Sequence, residues 1–257
     1  MTQRCIPIVL PAQSGTPALS GTPITPAPLD ARLEAAVEFV RGGTLADVGT
    51  DHAYLPIALL RRGLCRFAVA TDIHRGPAEV AAAHLAACGF GNDRAAVLLT
   101  DGLHGAEQFS PTDICIFGMG GEMIARIIDE APWVKDPDVR LILQPMTRME
   151  ILRDYLDKNG FAVREERMVK TDRIYQIICA EYDGRVRSHT PLALLLGERN
   201  MARRDTLCVE YAERQRDIFR ASRAGKLKGS NPDTAREDAL LAELADFLSD
   251  ETEDTPI

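Results

Sequence analysis

With 257 residues and a formal net charge of −8, the chain can hold one large α/β domain plus a small appendage, and it is too acidic for a uniformly basic nucleic-acid binder, although a local basic surface remains compatible with it. No apolar stretch approaches a bilayer span, and Cys5 to Leu10 is too short and proline-broken for a signal peptide, so a cytoplasmic protein without membrane attachment is expected. Cys5, Cys65, Cys88, Cys115, Cys179 and Cys208 show no Cys-x-x-Cys spacing, which reads as reduced thiols with neither a metal site nor a disulfide framework.

Residues 1–28 carry prolines at 7, 11, 17, 23, 26 and 28 among small residues, and a disordered extension is expected there. Leu33, Ala36, Val37 and Val40 then repeat at helical spacing before Gly42-Gly43. From Thr44 the chain alternates. Strand-like runs occupy 44–48, 67–71, 95–99, 113–117 and 139–143, and helix-like runs occupy 54–62, 77–88, 121–130 and 147–159. Such alternation predicts a mostly parallel sheet with right-handed crossovers and a ligand crevice at the carboxyl ends of its strands. The last runs, 161–169 and 174–182, are separated only by Lys170-Thr171-Asp172-Arg173, too few residues for a crossover, so they form an antiparallel hairpin that closes the sheet. A domain over 29–184 follows, and a chain cut after Gly184 is expected to fold. Residues 185–257 read as a helical hairpin: a long basic helix over 199–228, a break from Gly225 to Pro232, and an acidic helix marked by Leu240, Leu244 and Phe247.

Polar loops follow the apolar runs in a telling order. Asp47-Val48-Gly49-Thr50-Asp51-His52-Ala53-Tyr54-Leu55-Pro56 turns a strand into a helix. Amides at such a corner suit an anionic group. With Gly49 as the only glycine, however, the corner fits a carboxylate better than a dinucleotide pyrophosphate. Asp47 is placed for a cationic amine. A ligand with both groups is an amino acid, here the methionine half of S-adenosylmethionine. Asp72, with Ile73 beside it, ends the second strand where a carboxylate accepts ribose hydroxyls, and Asp101-Gly102 can meet the adenine amine. Gly118-Met119-Gly120-Gly121 follows the fourth strand, with glycines that permit close approach of a flat base and no Pro-Pro motif of the exocyclic-amine methylases. Singly, each has an ordinary alternative: a tight turn at Gly49, an N-cap at Asp72, a generic turn at Asp101-Gly102.

These segments, together with Gly76-Pro77, Asp101-Gly102-Leu103 and Leu141-Ile142-Leu143-Gln144-Pro145-Met146, resemble the bacterial tRNA (adenine-N1)-methyltransferases that act on adenine 22 of the D-loop. The resemblance spans roughly residues 29–182. It implies a Rossmann-like class I methyltransferase domain with S-adenosylmethionine as cofactor, a C-terminal coiled-coil-like helical domain that helps hold tRNA, and Asp51 as the catalytic carboxylate. Departures lie at the ends: Gly197 is followed by Glu198 rather than proline, the helical region is short, and the proline-rich start is not a family feature.

N1 of adenine carries a lone pair and needs positioning and charge stabilisation rather than deprotonation. Asp51 is placed to accept the base's N6–H, and it is equally an ordinary N-cap residue. Tyr54 can stack on a flipped base or pack; His52 can orient Asp51, contact phosphate or cap; Gln144 and Met146 end the fifth strand beside the pocket. His74, His84 and His104 read as surface or packing residues. Arg199, Arg203 and Arg204 begin the basic stretch expected to follow tRNA phosphates, although a charge run is usually a solvated helix face, and Arg61, Arg62, Arg66 and Arg75 lie near the crevice. A methyltransferase acting on a small molecule or a protein, and an RNA-binding protein without turnover, remain the alternatives. A monomer or weak dimer is expected.

Overall fold

In the computed structural model, residues 5–10, 28–229 and 233–249 are described. They form an eight-stranded sheet in the order β1-β4-β3-β2-β5-β6-β8-β7. The strands are β1 (Ile6–Ile8), β2 (Thr44–Val48), β3 (Phe67–Asp72), β4 (Ala95–Leu99), β5 (Asp113–Gly120), β6 (Arg140–Thr147), β7 (Phe161–Lys170) and β8 (Ile174–Tyr182). The β2 to β6 strands pair in parallel, whereas β8 runs antiparallel to both β6 and β7. The fold is the expected Rossmann-like α/β architecture with its closing hairpin.

The helices between strands are α1 (Ala31–Val37), α2 (Tyr54–Arg61), α3 (Arg75–Ala87), α4 (Gly121–Asp129) and α5 (Met149–Lys158). Parallel strands covered on both faces must be apolar throughout rather than alternating. Accordingly, Leu45 to Val48 and Ala68 to Asp72 are buried without a break. Two buried clusters form, one around Leu45, Ile57, Leu85 and Ile142, the other around Ile114, Ile124, Leu141 and Phe161.

Three expectations need correction. The proline-rich start is not wholly disordered: Ile6, Pro7 and Ile8 pair antiparallel with Leu99, Leu98 and Val97, capping the sheet edge. Pro7 lacks an N–H, which an edge strand tolerates. The remainder of the expected extension, 1–4 and 11–27, lies outside the described residues. Next, Gly118-Met119-Gly120 is an irregular extension of β5 rather than a free loop, because Met119 pairs with Pro145 and Gly120 with Thr147 across register shifts. Third, the long basic helix is divided. The C-terminal elements are α6 (Pro191–Leu196), α7 (Glu198–Arg203), α8 (Thr206–Lys226) and α9 (Ala235–Ser249). Arg204 has φ +46°, and Asp205 caps α8 by accepting the Cys208 N–H at 2.9 Å, which ends one helix and starts the next.

These helices are anchored in the sheet. Met168 and Ile174, from β7 and β8, share a buried cluster with Leu192, Leu196, Tyr211, Leu240 and Leu244. Beneath it Arg153 is almost fully enclosed. Its guanidinium donates to Glu166 Oε1 at 2.8 Å, to Gln176 Oε1 at 2.5 Å and to the Leu194 carbonyl at 2.9 Å, while Glu166 Oε2 accepts the Arg199 N–H at 3.0 Å. A cut after Gly184 would leave the Arg153–Glu166 pair but remove the Leu194 carbonyl and the Arg199 N–H bonded to it, so such a chain is expected to be destabilised.

Candidate active site

The strand ends are braced by one another before any ligand is considered. Gly49 N–H and Thr50 N–H both donate to the Thr71 carbonyl (2.8 and 3.1 Å), Thr71 Oγ1 donates to Gly102 O at 2.8 Å, and Thr100 N–H donates to Asp72 O at 2.9 Å. The amides of Gly49 and Thr50 are thus spent on β3 and are not offered to a carboxylate. Gly49 serves by shape: φ is +71°, and a Cβ there would stand 2.5 Å from Met119 Cε. Gly102 is alike, with φ +59° and Ile127 3.1 Å from where its Cβ would be.

This bracing leaves a cleft of about 320 Å³ lined by Gly49, Asp72, Ile73, Asp101, Gly102 and Met119, with Met123, Arg126 and Ile127 on its far wall. Six cofactor candidates from four strand ends thus converge. Asp72 is buried at the rim and uses Oδ1 to accept the His74 N–H at 2.8 Å. Ile73 is 56% exposed and offers an apolar wall. Asp47 and Thr50 are not in the lining: they lie buried at the end of β2, bonded to each other at 2.6 Å through Thr50 Oγ1 and Asp47 Oδ2. Burial pushes the Asp47 carboxyl up to about 6, the Thr50 hydrogen bond opposing this and the Asp72 charge adding to it. Asp101 is not a free acceptor for an adenine amine, since Arg126 grips it at 3.0 Å while also pairing with Glu130 at 2.8 Å. Sequence reasoning missed Arg126, which sits one helical turn from Glu130 on α4 and carries no local signal of the distant carboxylate.

On the acceptor side the structure overturns the N-cap alternative for Asp51. Helix α2 starts at Tyr54 with Ala53 as its cap and no side-chain cap bond. Asp51 (φ +49°) and Ala53 (φ +57°) are both left-handed, a conformation that costs a non-glycine residue about 1–2 kcal/mol. The turn throws the Asp51 carboxylate outward, 68% exposed, with His52 Nε2 3.5 Å from Oδ2. His52 is held from behind: its carbonyl lies 3.2 Å from His84 Nδ1, and its ring stacks with His84 at 5.6 Å and leans on Tyr54 at 5.2 Å. His84, expected only to pack, supports this turn. Tyr54 is 38% exposed beside it.

Two acceptor candidates are scaffold. Gln144 is fully buried, with Oε1 accepting the Gly118 N–H at 3.3 Å and Nε2 donating to Pro145 O at 2.9 Å, so it shapes the β5–β6 ends and does not face a base. Met146 receives Gln144 Nε2 and Arg32 Nη1 on its sulfur at 3.5 and 3.8 Å. Of the basic candidates, Arg203 donates to the Glu166 carbonyl and Arg204 lies 4.6 Å over the Phe247 ring. Both therefore serve packing; Arg199, exposed on α7, does not reach the crevice lining. Among the described residues no group of His, Cys, Asp or Glu is arranged to hold a metal ion, and no helix is long and apolar enough to cross a membrane.

A methyltransferase-domain family profile matches residues 29–178. The tRNA (adenine(22)-N(1))-methyltransferase of Bacillus subtilis (strain 168) is 31% identical over 171 residues, 66% of this chain and 71% of that protein. The chain belongs to the tRNA (adenine-N1)-methyltransferase family. Two solved structures extend the likeness into the C-terminal helices. A putative tRNA (m1A22) methyltransferase of Streptococcus pneumoniae, in complex with S-adenosyl-L-methionine, superposes with a TM-score of 0.74 at 29% identity, over 84% of this chain and 98% of that one. A protein of the NADB-Rossmann superfamily from Streptococcus agalactiae gives 0.79 at 28% identity, over 86% and 98%. In this member of the family, the strained Asp51 turn follows two residues after Gly49 of the cleft lining, and Met119 of the β5–β6 extension lines the same cleft.

Proposed function

We propose that this protein transfers a methyl group from S-adenosylmethionine to N1 of an adenine in tRNA, at position 22 of the D-loop. The observation that carries the reading is the exposed, strained Asp51 carboxylate beside a glycine-floored cleft at the carboxyl ends of the strands. The relatives' substrate supplies the acceptor.

The cleft suits the cofactor on its own terms. Its apolar wall of Ile73, Met123 and Ile127 fits a flat purine, Asp72 meets a ribose, and Gly49 and Gly102 let Met119 and Ile127 pack against the strand ends where a Cβ would push them away. Bound there, the cofactor supplies an electrophilic methyl on sulfur. Asp72 and the apolar wall hold one reactant still, which removes most of the entropic cost of a two-body reaction. Asp51 accepts the N6–H bond as the base acquires positive charge, and it can take that proton. His52 and His84 keep the Asp51 turn in its left-handed form. Arg126 must yield Asp101 if that carboxylate is to meet the adenine amine, and Glu130 is already in place to receive it.

Asp47, buried two residues before Gly49 of the cleft lining, is expected to couple cofactor binding to pH. Its folded-state pKa, about 6, lies above that of the unfolded chain, so its protonated form adds stability at low pH that is lost as pH rises through about 6. A ligand ammonium beside Asp47 favours the carboxylate instead. Affinity for S-adenosylhomocysteine, measured by calorimetry, should therefore weaken below about pH 6 by up to tenfold per unit, and Asp47→Asn should flatten that profile. Equal affinity at pH 7.5 and pH 5 in the wild type would separate Asp47 from the ligand.

The substrate reading is tested with transcribed tRNA and labelled S-adenosylmethionine. Label should enter a transcript with adenine at position 22 and not its guanine-22 variant; equal labelling of both would move the target elsewhere.

A further inference from the structure

Most cations on the C-terminal helices are already engaged. Arg216 and Arg220 pair with Asp217, Arg223 with Asp238, and Lys226 with Glu237. Phosphate contacts must come from the cations that remain if RNA is to be held beside the crevice. A groove of about 380 Å³ runs between the end of β6 and helix α8. Its floor is apolar, including Met149, Tyr211, Phe219 and Ile218, the last 49% exposed. Its rim carries Arg148, Arg173, Arg214 and Arg236 against Glu150 and Glu237. Arg148 and Arg236 share Glu150 at 3.7 and 3.3 Å. Arg173 and Arg214 make no ion pair among the described residues; Arg173 lies 4.9 Å over the Tyr175 ring, its Nε buried without a hydrogen-bond partner.

The groove starts where the acceptor wall ends. Gly120 pairs with Thr147, and the Arg148 carbonyl stands 2.2 Å from where a Gly121 Cβ would be, so the methylation crevice and the groove share the end of the β5–β6 ladder. An apolar floor beneath two guanidiniums that make no ion pair among the described residues, one of them stacked on Tyr175, matches one unstacked nucleotide, its base on the floor and its phosphate at the rim. We propose that this groove binds a nucleotide adjacent to the target adenine, holding the strand while the adenine enters the crevice. The proposal rests on the tRNA reading above.

The test uses the full chain and unmodified transcribed tRNA. Arg173→Glu/Arg214→Glu should weaken tRNA binding at least tenfold and make its logarithmic salt dependence shallower by about 0.7, the slope of one single-strand phosphate contact. The lysine pair Arg173→Lys/Arg214→Lys should retain most of the affinity, and S-adenosylhomocysteine affinity should be unchanged in both, which certifies the fold. A photo-crosslinking residue at Gln215, which lines the groove, should label nucleotides within two positions of the target adenine. Unchanged affinity and slope in the glutamate variant, or crosslinks confined to another arm of the tRNA, would overturn the groove while wild-type methylation of tRNA still stood. Failure of the wild type to bind or methylate tRNA would instead sink the tRNA reading on which the groove depends.

Discussion

Asp51→Asn should lose about 10²- to 10³-fold in turnover while binding S-adenosylhomocysteine as the wild type does and melting at the same temperature. Asparagine tolerates a left-handed φ nearly as well as aspartate, so the turn at φ +49° is kept and only the charge is removed. Asp51 makes no cap bond to α2 and is largely exposed, so it contributes little packing that the substitution could disturb. A group acting only on developing charge lowers kcat and kcat/KM together, and general-base and electrostatic contributions of this kind are worth about 10²- to 10⁴-fold. Asp51→Gly should be equally inactive yet no less stable, because glycine relieves the strained φ at the expense of a more flexible unfolded chain. Single-turnover transfer on tRNA, with calorimetric binding and thermal melts alongside, checks all three readouts. Near-wild-type turnover in Asp51→Asn would move the catalytic role to a neighbour.

The second large effect is on stability. Arg153→Met should destabilise the protein by about 3–5 kcal/mol, because it strands the Glu166 carboxylate in the interior and leaves the Gln176 side chain and the Leu194 carbonyl without their donor. For a chain of this size that corresponds to a fall in Tm of roughly 6–20 °C. The double variant Arg153→Met/Glu166→Gln should recover part of the loss, since removing both charges also removes their desolvation cost. A loss under about 1 kcal/mol in Arg153→Met would show that water reaches this site and that the C-terminal helices are only loosely joined to the sheet. They share a buried core with β7 and β8, so deleting residues after 184 should be at least as damaging as Arg153→Met.

What the linear chain revealed, and what it hid, divides along physical lines. The β2 to β6 strands and their helices were legible because burial on both faces demands unbroken apolar runs, and the hairpin because four residues cannot carry a crossover. The convergence of Gly49, Asp72, Asp101 and Met119 followed from the rule that ligands meet parallel sheets at their carboxyl ends. Hidden were the contacts between residues far apart in sequence. Arg126 and Asp101, Arg153 and Glu166, and His84 and His52 carry no local mark of their partners, and a buried arginine reads in sequence like a solvated one. Some signals were present and passed over. Asp205 ahead of Thr206-Leu207-Cys208 marks a helix start inside the supposed long helix, and Thr190-Pro191 marks another. Backbone conformation was out of reach: nothing in Asp51-His52-Ala53 announces two left-handed residues, and those are what turn the carboxylate outward.

The central claim is that this crevice methylates the ring nitrogen N1 of a tRNA adenine. The most direct measurement is to incubate the wild-type protein with labelled S-adenosylmethionine and unmodified tRNA, digest the product and identify the labelled nucleoside. The account predicts 1-methyladenosine from the D-loop. Label in N6-methyladenosine, or in any other nucleoside, would contradict it.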